Sequence, residues 1–209
     1  MSLVVDFISP SELLAQFRRQ TTDLTNERLF NDPAHQKKRE LWVSATLGLG
    51  LEQVGVKSLV RVVAEESDAA DCELLVGSNV LRFQITEVQK PGRQRGREYK
   101  ELHKNPTMMV PYQPQRGMQE GPQWIASAVK DKCCKRYDPK PHLVVYVNFE
   151  AEDLDLGEVR RHCIPYKDAF HSLWLLQNHR LIQVWDHEQT QGWAKQWVFF
   201  PNLGWRWSS

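Results

Sequence analysis

No apolar run in this 209-residue chain approaches the ~20 residues that a membrane span requires. The amino terminus, MSLVVDFISP, has no basic region and no cleavage-like site, so the expectation is a cytoplasmic protein rather than a secreted one. Cysteine is scarce. Cys72, Cys133, Cys134 and Cys163 show no CxxC spacing, which argues against a zinc site or a disulfide framework. The histidines are scattered without HxH or HExxH spacing, and there is no phosphate loop, Rossmann glycine pattern or GxSxG elbow. Net charge is only +1, so any affinity for nucleic acid must come from a local patch. Internal repeats and low-complexity segments are lacking too.

What is present is an ordinary globular composition, 41% hydrophobic and 25% charged, in a chain long enough for one well-buried domain over residues 1–209. Ser9-Pro10-Ser11-Glu12 reads as a helix start: a serine cap, proline at the first position and glutamate three residues after the cap. Asp32-Pro33 opens a longer helix with Leu41, Trp42, Ala45 and Leu49 on its buried face, weakened at its end by Gly48 and Gly50. Leu59 to Ala64 reads as a strand. Gly121-Pro122 starts a helix through about Arg136, its apolar face carried by Trp124, Ile125, Ala128, Val129 and Cys133. HLVVYVNF, residues 142–149, is apolar on both faces and is expected in the middle of a sheet. A helix from about Gly157 and a hairpin of 173–176 with 181–185 follow, then an edge strand at 197–200.

The stretch Asp71 to Gln89 carries the chemistry. Cys72 to Val76 and Val80 to Val88 read as two strands joined across Gly77-Ser78-Asn79. Alternation places Leu81, Phe83, Ile85, Glu87 and Gln89 on one side of the second strand, so a carboxylate and an amide continue an apolar row. Asp71 stands where the first strand begins, within reach of Glu87. Two carboxylates meeting at a strand end suit a hard divalent cation, because Mg²⁺ takes oxygen ligands and keeps several waters.

These residues resemble the core of the PD-(D/E)XK, or restriction-endonuclease-like, nuclease superfamily. In that resemblance Asp71 is the family's Asp, Glu87 its second acidic residue, and Gln89 occupies the Lys position, while Ala70 replaces the Pro. The resemblance implies an α/β fold, a central mixed sheet flanked by helices with an α-β-β-β-α-β core over about residues 34–149. Residues 1–33 become a helical lead-in, 90–121 a basic excursion, and 150–209 a Trp-rich αβ elaboration. It also implies a nuclease-like protein hydrolysing phosphodiester bonds with Mg²⁺ or Mn²⁺ held by Asp71 and Glu87, Gln89 assisting and Glu40 as an additional metal-site carboxylate. The alternative implied is a catalytically inactive relative that keeps the fold as an interaction module.

The basic segment from Lys90 to Lys104 begins directly after this hairpin. Arg93, Arg95, Arg97 and Lys100 suit phosphate oxygens, and Tyr99 offers a stacking face for a base, so nucleic acid is the expected partner there. Trp205 and Trp207 at the chain end either fold back or present an apolar patch to a protein partner or a second copy.

Overall fold

The computed structural model describes residues 6–25, 28–29, 32–63, 70–93, 98, 101, 104, 114–187 and 193–200. Helix α1 (Pro10–Thr21) starts as the sequence predicts. The Glu12 N–H donates to Ser9 Oγ at 3.2 Å and the Ser9 N–H donates to Glu12 Oε2 at 3.0 Å, closing a capping box. Asp32 caps a short 3₁₀ turn (Pro33–His35) that runs into helix α2 (Gln36–Glu52). Helix α2 buries more than the one face its periodicity suggests: Leu41, Val43, Ala45, Leu47 and Leu51 are all buried, with Glu40, Ser44 and Thr46 among them. It is covered by α1 on one side and by the sheet on the other. Gly48 makes that possible, since a Cβ there would lie 2.6 Å from Pro10 and 2.9 Å from Val60. The glycine serves close approach inside the helix rather than ending it.

The sheet has seven strands in sequential order. Strands β1 (Leu59–Val62), β2 (Cys72–Val76) and β3 (Asn79–Gln89) form an antiparallel meander. Helix α3 (Pro114–Cys133) then crosses the sheet, and β4 (His142–Asn148) pairs parallel with β3. Helix α4 (Leu156–Cys163) leads by a 3₁₀ turn (Ile164–Ala169) to β5 (Ser172–Gln177), again parallel. Strands β6 (Arg180–Asp186) and β7 (Val198–Phe199) close the sheet antiparallel. The α-β-β-β-α-β order and the mixed sheet between helices are as expected from the sequence.

Two cores follow from strand alternation. Val144 and Tyr146 of β4 face α1 and α2 with Phe83, Trp174 and Leu176, while Leu143, Val145 and Val147 face α3 and α4 with Ile125, Val129 and Val159. That division explains why HLVVYVNF is apolar throughout: β4 lies mid-sheet and is buried on both faces. Residues after 150 extend the same sheet and fill both cores. No helix among the described residues is long and apolar enough to cross a membrane.

Helix α3 begins earlier than Gly121-Pro122, and Pro122 lies inside it. Gly117 and Gly121, one turn apart, press against the chain that leaves β4: a Cβ on Gly117 would meet the Glu150 carbonyl oxygen at 1.8 Å, and one on Gly121 the Phe149 ring at 2.6 Å. Residues that look like helix breakers are here the contact face of the helix.

Candidate functional site

Strand β2 begins at Cys72, whereas β3 runs on past it to pair with β4 alone. The edge of β3 left open there is met by the Asp71 side chain. The Ile85 N–H donates to Asp71 Oδ2 at 2.7 Å, in the place where a longer β2 would have supplied a carbonyl. The same oxygen lies 3.6 Å from Lys132 Nζ, which reaches across from the end of α3. Lys132 donates to Gln84 Oε1 at 2.9 Å and the Tyr137 hydroxyl donates to it at 3.2 Å. Burial holds the Lys132 ammonium below its ordinary pKa while the Asp71 charge pulls it back up. Burial, with Asp71 adding, pushes the Tyr137 phenol up to about 12. Asp71 is thus built into the sheet edge and into an ion pair.

Glu87 lies two residues past Ile85 on the α2 side of the sheet, where the Asn148 side-chain amide of β4 donates to its Oε1. Gln89, on the same face, is paired in register with Asn148. Above them stands Glu40, in the second turn of α2 and only 5% exposed. Its Oε1 accepts from Gln36 Nε2 at 2.9 Å. Its Oε2 is held by the Lys37 ammonium, whose Nζ lies 2.9 Å away. Burial raises the Glu40 pKa above its ordinary value; Lys37 opposes this and the charge of Asp71 adds to it.

Between Glu40 and Glu87 is a cavity of about 180 Å³. Its floor is Ile85 and Glu87 of β3 with Tyr146 of β4; α2 supplies Gln36, Arg39, Glu40, Trp42 and Val43, and Phe17 and Leu29 close it. The Trp42 and Tyr146 rings meet edge to face, centroids 5.0 Å apart. The Trp42 indole N–H is buried with no hydrogen-bond partner among the described residues. Arg39 turns its Nη1 to the Leu29 carbonyl at 2.6 Å. The cavity thus sits toward the carboxyl ends of two parallel strands, where open α/β sheets hold their ligands.

The sequence expectation joined Asp71 to Glu87, with Glu40 in support. The structure brings Glu40 and Glu87 to one cavity, and Asp71 is not among the residues that line it. Among the described residues no three His, Cys, Asp or Glu side chains are grouped to hold one metal ion. Arg93 is turned back onto the fold, 2.9 Å from Glu98 and donating to the Asn148 carbonyl at 3.1 Å. Arg95, Arg97, Tyr99, Lys100, Trp205 and Trp207 lie outside the described residues. Sequence reasoning did not single out Lys132, nor Tyr146, Asn148 and the cavity-lining role of Trp42. Tyr146 and Asn148 had a signal: alternation along β4 places them on one face, at the end where a polar residue interrupts an apolar strand.

No protein family matches the chain, and no curated protein matches it. One solved structure is similar, a protein of unknown function from Pseudomonas aeruginosa strain PAO1 described as monooxygenase superfamily. It is 15% identical over 91% of this chain and 93% of that one, with a TM-score of 0.41. A likeness so remote transfers no activity, and the monooxygenase description stays with that protein. The comparisons do not bear out the family assignment made from the sequence. The matching structure is not described as a nuclease, and no family or curated protein supports one. The PD-(D/E)XK assignment, the nuclease activity and the inactive-nuclease alternative are therefore withdrawn. Its basis was three side chains together with the α-β-β-β-α-β order, and the first of those side chains, Asp71, has its carboxylate engaged by Ile85 and Lys132.

Proposed function

We propose that the protein binds a cation in the cavity between α2 and the β3–β4 pair, with Glu40 and Glu87 as the oxygen donors. The observation that carries this reading is a cavity lined by two carboxylates, Glu87 and the 5% exposed Glu40, whose Oε2 already takes one cation, the Lys37 ammonium at 2.9 Å. A buried carboxylate is costly unless charges and hydrogen bonds surround it. A cation in the cavity offsets the cost. Mg²⁺ or Mn²⁺ fits the donor chemistry, since such ions bind through one or two carboxylates and retain waters.

Protons compete with the cation for Glu40, whose pKa is raised. Cation binding therefore strengthens as pH rises through the Glu40 titration and weakens as it falls. The charged groups acting on Glu40 are Lys37 on its own helix, Asp71 before β2 and Lys132 on α3, with Glu87 facing it across the cavity.

The test is thermal unfolding of the parent and of the double variant Glu40→Gln with Glu87→Gln, against MgCl₂, MnCl₂ and n-propylammonium chloride at matched ionic strength. A ligand at about 100 times its Kd stabilises the folded state by about 2.7 kcal/mol. At least one cation should do so for the parent, more at pH 8 than at pH 4.5, the ordinary carboxylate value that Glu40 exceeds, and the double variant should lose the response while still unfolding cooperatively. No response to any of the three cations, or an undiminished one in the double variant, ends the reading.

A further inference from the structure

On β1, β2 and β3 the residues that point toward α2 fill the first core, and the alternate ones point the other way. Among these are Leu59, Leu75 and Val80, one to a strand, which the register places in a single row. Leu59 is 40% exposed and Val80 46%, with Leu75 half-buried between them. Neither core takes them up. Helix α3, on the same side of the sheet, packs on β3 and β4. Two residues along each strand the chemistry changes: Arg61, Glu73 and Arg82 form the next row. Glu73 Oε2 accepts from Arg61 Nε at 2.7 Å and its Oε1 from Arg82 Nε at 3.2 Å. The two arginine side chains are 37% and 49% exposed against 8% for Glu73, so the surface presents guanidinium and hides the carboxylate. The Phe7 ring lies 4.5 Å beneath the Arg61 guanidinium and helps to hold it. Asp71, beyond this row, is answered by Lys132.

We propose that this face docks an acidic amphipathic helix of another protein, lying across the strands. Charge and spacing together select that partner. Neighbouring strands lie ~4.8 Å apart, so the aliphatic side chains recur at that interval and Arg61 and Arg82 stand ~10 Å apart. A helix rises ~1.5 Å per residue, so side chains at i, i+3 and i+7 advance by ~5 Å a step, and carboxylates at i and i+7 by ~10 Å. An apolar stripe of such a helix rests on Leu59, Leu75 and Val80 while two carboxylates beside it meet the two guanidiniums. A guanidinium has five N–H donors, so Arg82, which meets Glu73 through Nε, can take a second carboxylate as arginine clusters do in acidic-motif recognition. A basic helix is repelled there, and an uncharged one gains the aliphatic contact alone. The α2 cavity lies on the opposite face of the sheet, so this proposal stands apart from the cation reading.

The probes are two fluorescein-labelled peptides of about 18 residues, roughly five turns of helix, with a leucine stripe on an alanine background. One carries glutamate beside the stripe and the other lysine. Fluorescence anisotropy reads their binding to the parent, to Arg82→Gln, to Val80→Glu and to the triple variant Arg61→Gln, Glu73→Gln, Arg82→Gln, which leaves no buried charge unpaired. The glutamate peptide should bind the parent, less so as NaCl rises from about 50 mM to about 500 mM, and the lysine peptide should bind about tenfold more weakly or worse. Arg82→Gln should lose about threefold and the triple variant about tenfold, as exposed charge pairs are removed. Val80→Glu should lose about tenfold by setting a like charge in the aliphatic row. Should the triple variant fail to unfold cooperatively in urea, Arg82→Gln and Val80→Glu decide, both being substitutions at exposed positions. No saturable binding of the glutamate peptide below about 1 mM overturns the proposal. So does equal binding of the two peptides, or an affinity unchanged in both Arg82→Gln and Val80→Glu. A parent that sediments as a dimer, with Val80→Glu a monomer, gives the face to a second copy of this chain and overturns the proposal as well.

Discussion

Replacing Asp71 by Asn tests whether this carboxylate is a structural part of the sheet edge. In the parent it accepts the Ile85 N–H at 2.7 Å and lies 3.6 Å from the Lys132 ammonium, both side chains being less than a fifth exposed. A hydrogen bond to a charged group contributes about 1.5–3 kcal/mol and a partly exposed ion pair up to about 1 kcal/mol. Asparagine can still accept from Ile85 through its own oxygen, so Asp71→Asn should cost about 1–2 kcal/mol and Asp71→Ala nearer 3 kcal/mol. Asp71→Asn also leaves the buried Lys132 ammonium without its counter-charge. Pairing it with Lys132→Met removes that unpaired charge, so the double variant should be about 1 kcal/mol more stable than the sum of the single losses. pH adds a second check. Burial places the folded pKa of Lys132 below its ordinary 10.5. Between the two values the unfolded chain holds a proton that the folded chain does not, so stability rises with pH across that window. Without Asp71 the folded pKa falls further and the rise should begin at a lower pH. Urea unfolding followed by tryptophan fluorescence at pH 7 and pH 9 measures all three quantities. Additivity within about 0.5 kcal/mol, with no change in pH dependence, would refute the Asp71–Lys132 coupling.

Two further outcomes follow from the packing. His142 is 5% exposed, shares a 2.7 Å hydrogen bond with the Ser172 hydroxyl and stacks on Phe83; burial, with the neighbouring His171 adding, lowers its pKa to about 4. As pH falls from about 6.5 to about 4 the unfolded chain takes up a proton that folded His142 refuses, so stability should drop by about 3 kcal/mol across that window and the slope should flatten in His142→Gln, read from urea midpoints. Gly117→Ala should destabilise by about 3 kcal/mol or more despite alanine's better helix propensity, because the new Cβ would lie 1.8 Å from the Glu150 carbonyl oxygen; a melting temperature equal to the parent's would show that α3 does not dock there as described.

The parts of the fold that could be read from the sequence are those set by neighbours in the chain. The capping box at Ser9 and Glu12 is such a case, and so is the turn at Gly77 that pairs Val76 with Asn79. The double-sided burial of β4 was readable too, because a seven-residue apolar strand is rarely anything but central. The failures concern residues whose partner is distant. Gly48 read as a helix-weakening position and Gly121 as part of a helix start, while Gly117 carried no signal, and only the approach of Pro10, Phe149 and Glu150 shows why glycine is needed at each. Lys132 read as one charge among several on a basic helix, yet it reaches Gln84 and Asp71 across 48 and 61 residues of chain.

The same distinction explains why Asp71 stands apart from Glu40 and Glu87 in the structure. Strand alternation put Asp71 and Glu87 within reach of each other, and it could say nothing about which of them would face an open space. That was decided by strand length. Because β2 begins only at Cys72, the edge of β3 beyond it needs an acceptor, and Asp71 supplies one. Glu87, farther along β3, lies beside β4 and beneath α2, where the Glu40 carboxylate already stands in a buried position. One carboxylate completes the sheet, and the other two line a cavity together with Gln36, Arg39 and the aromatic side chains of α1, α2 and β4. Cation titrations of the parent and of the Glu40→Gln, Glu87→Gln double variant therefore bear on that cavity more directly than any substitution of Asp71.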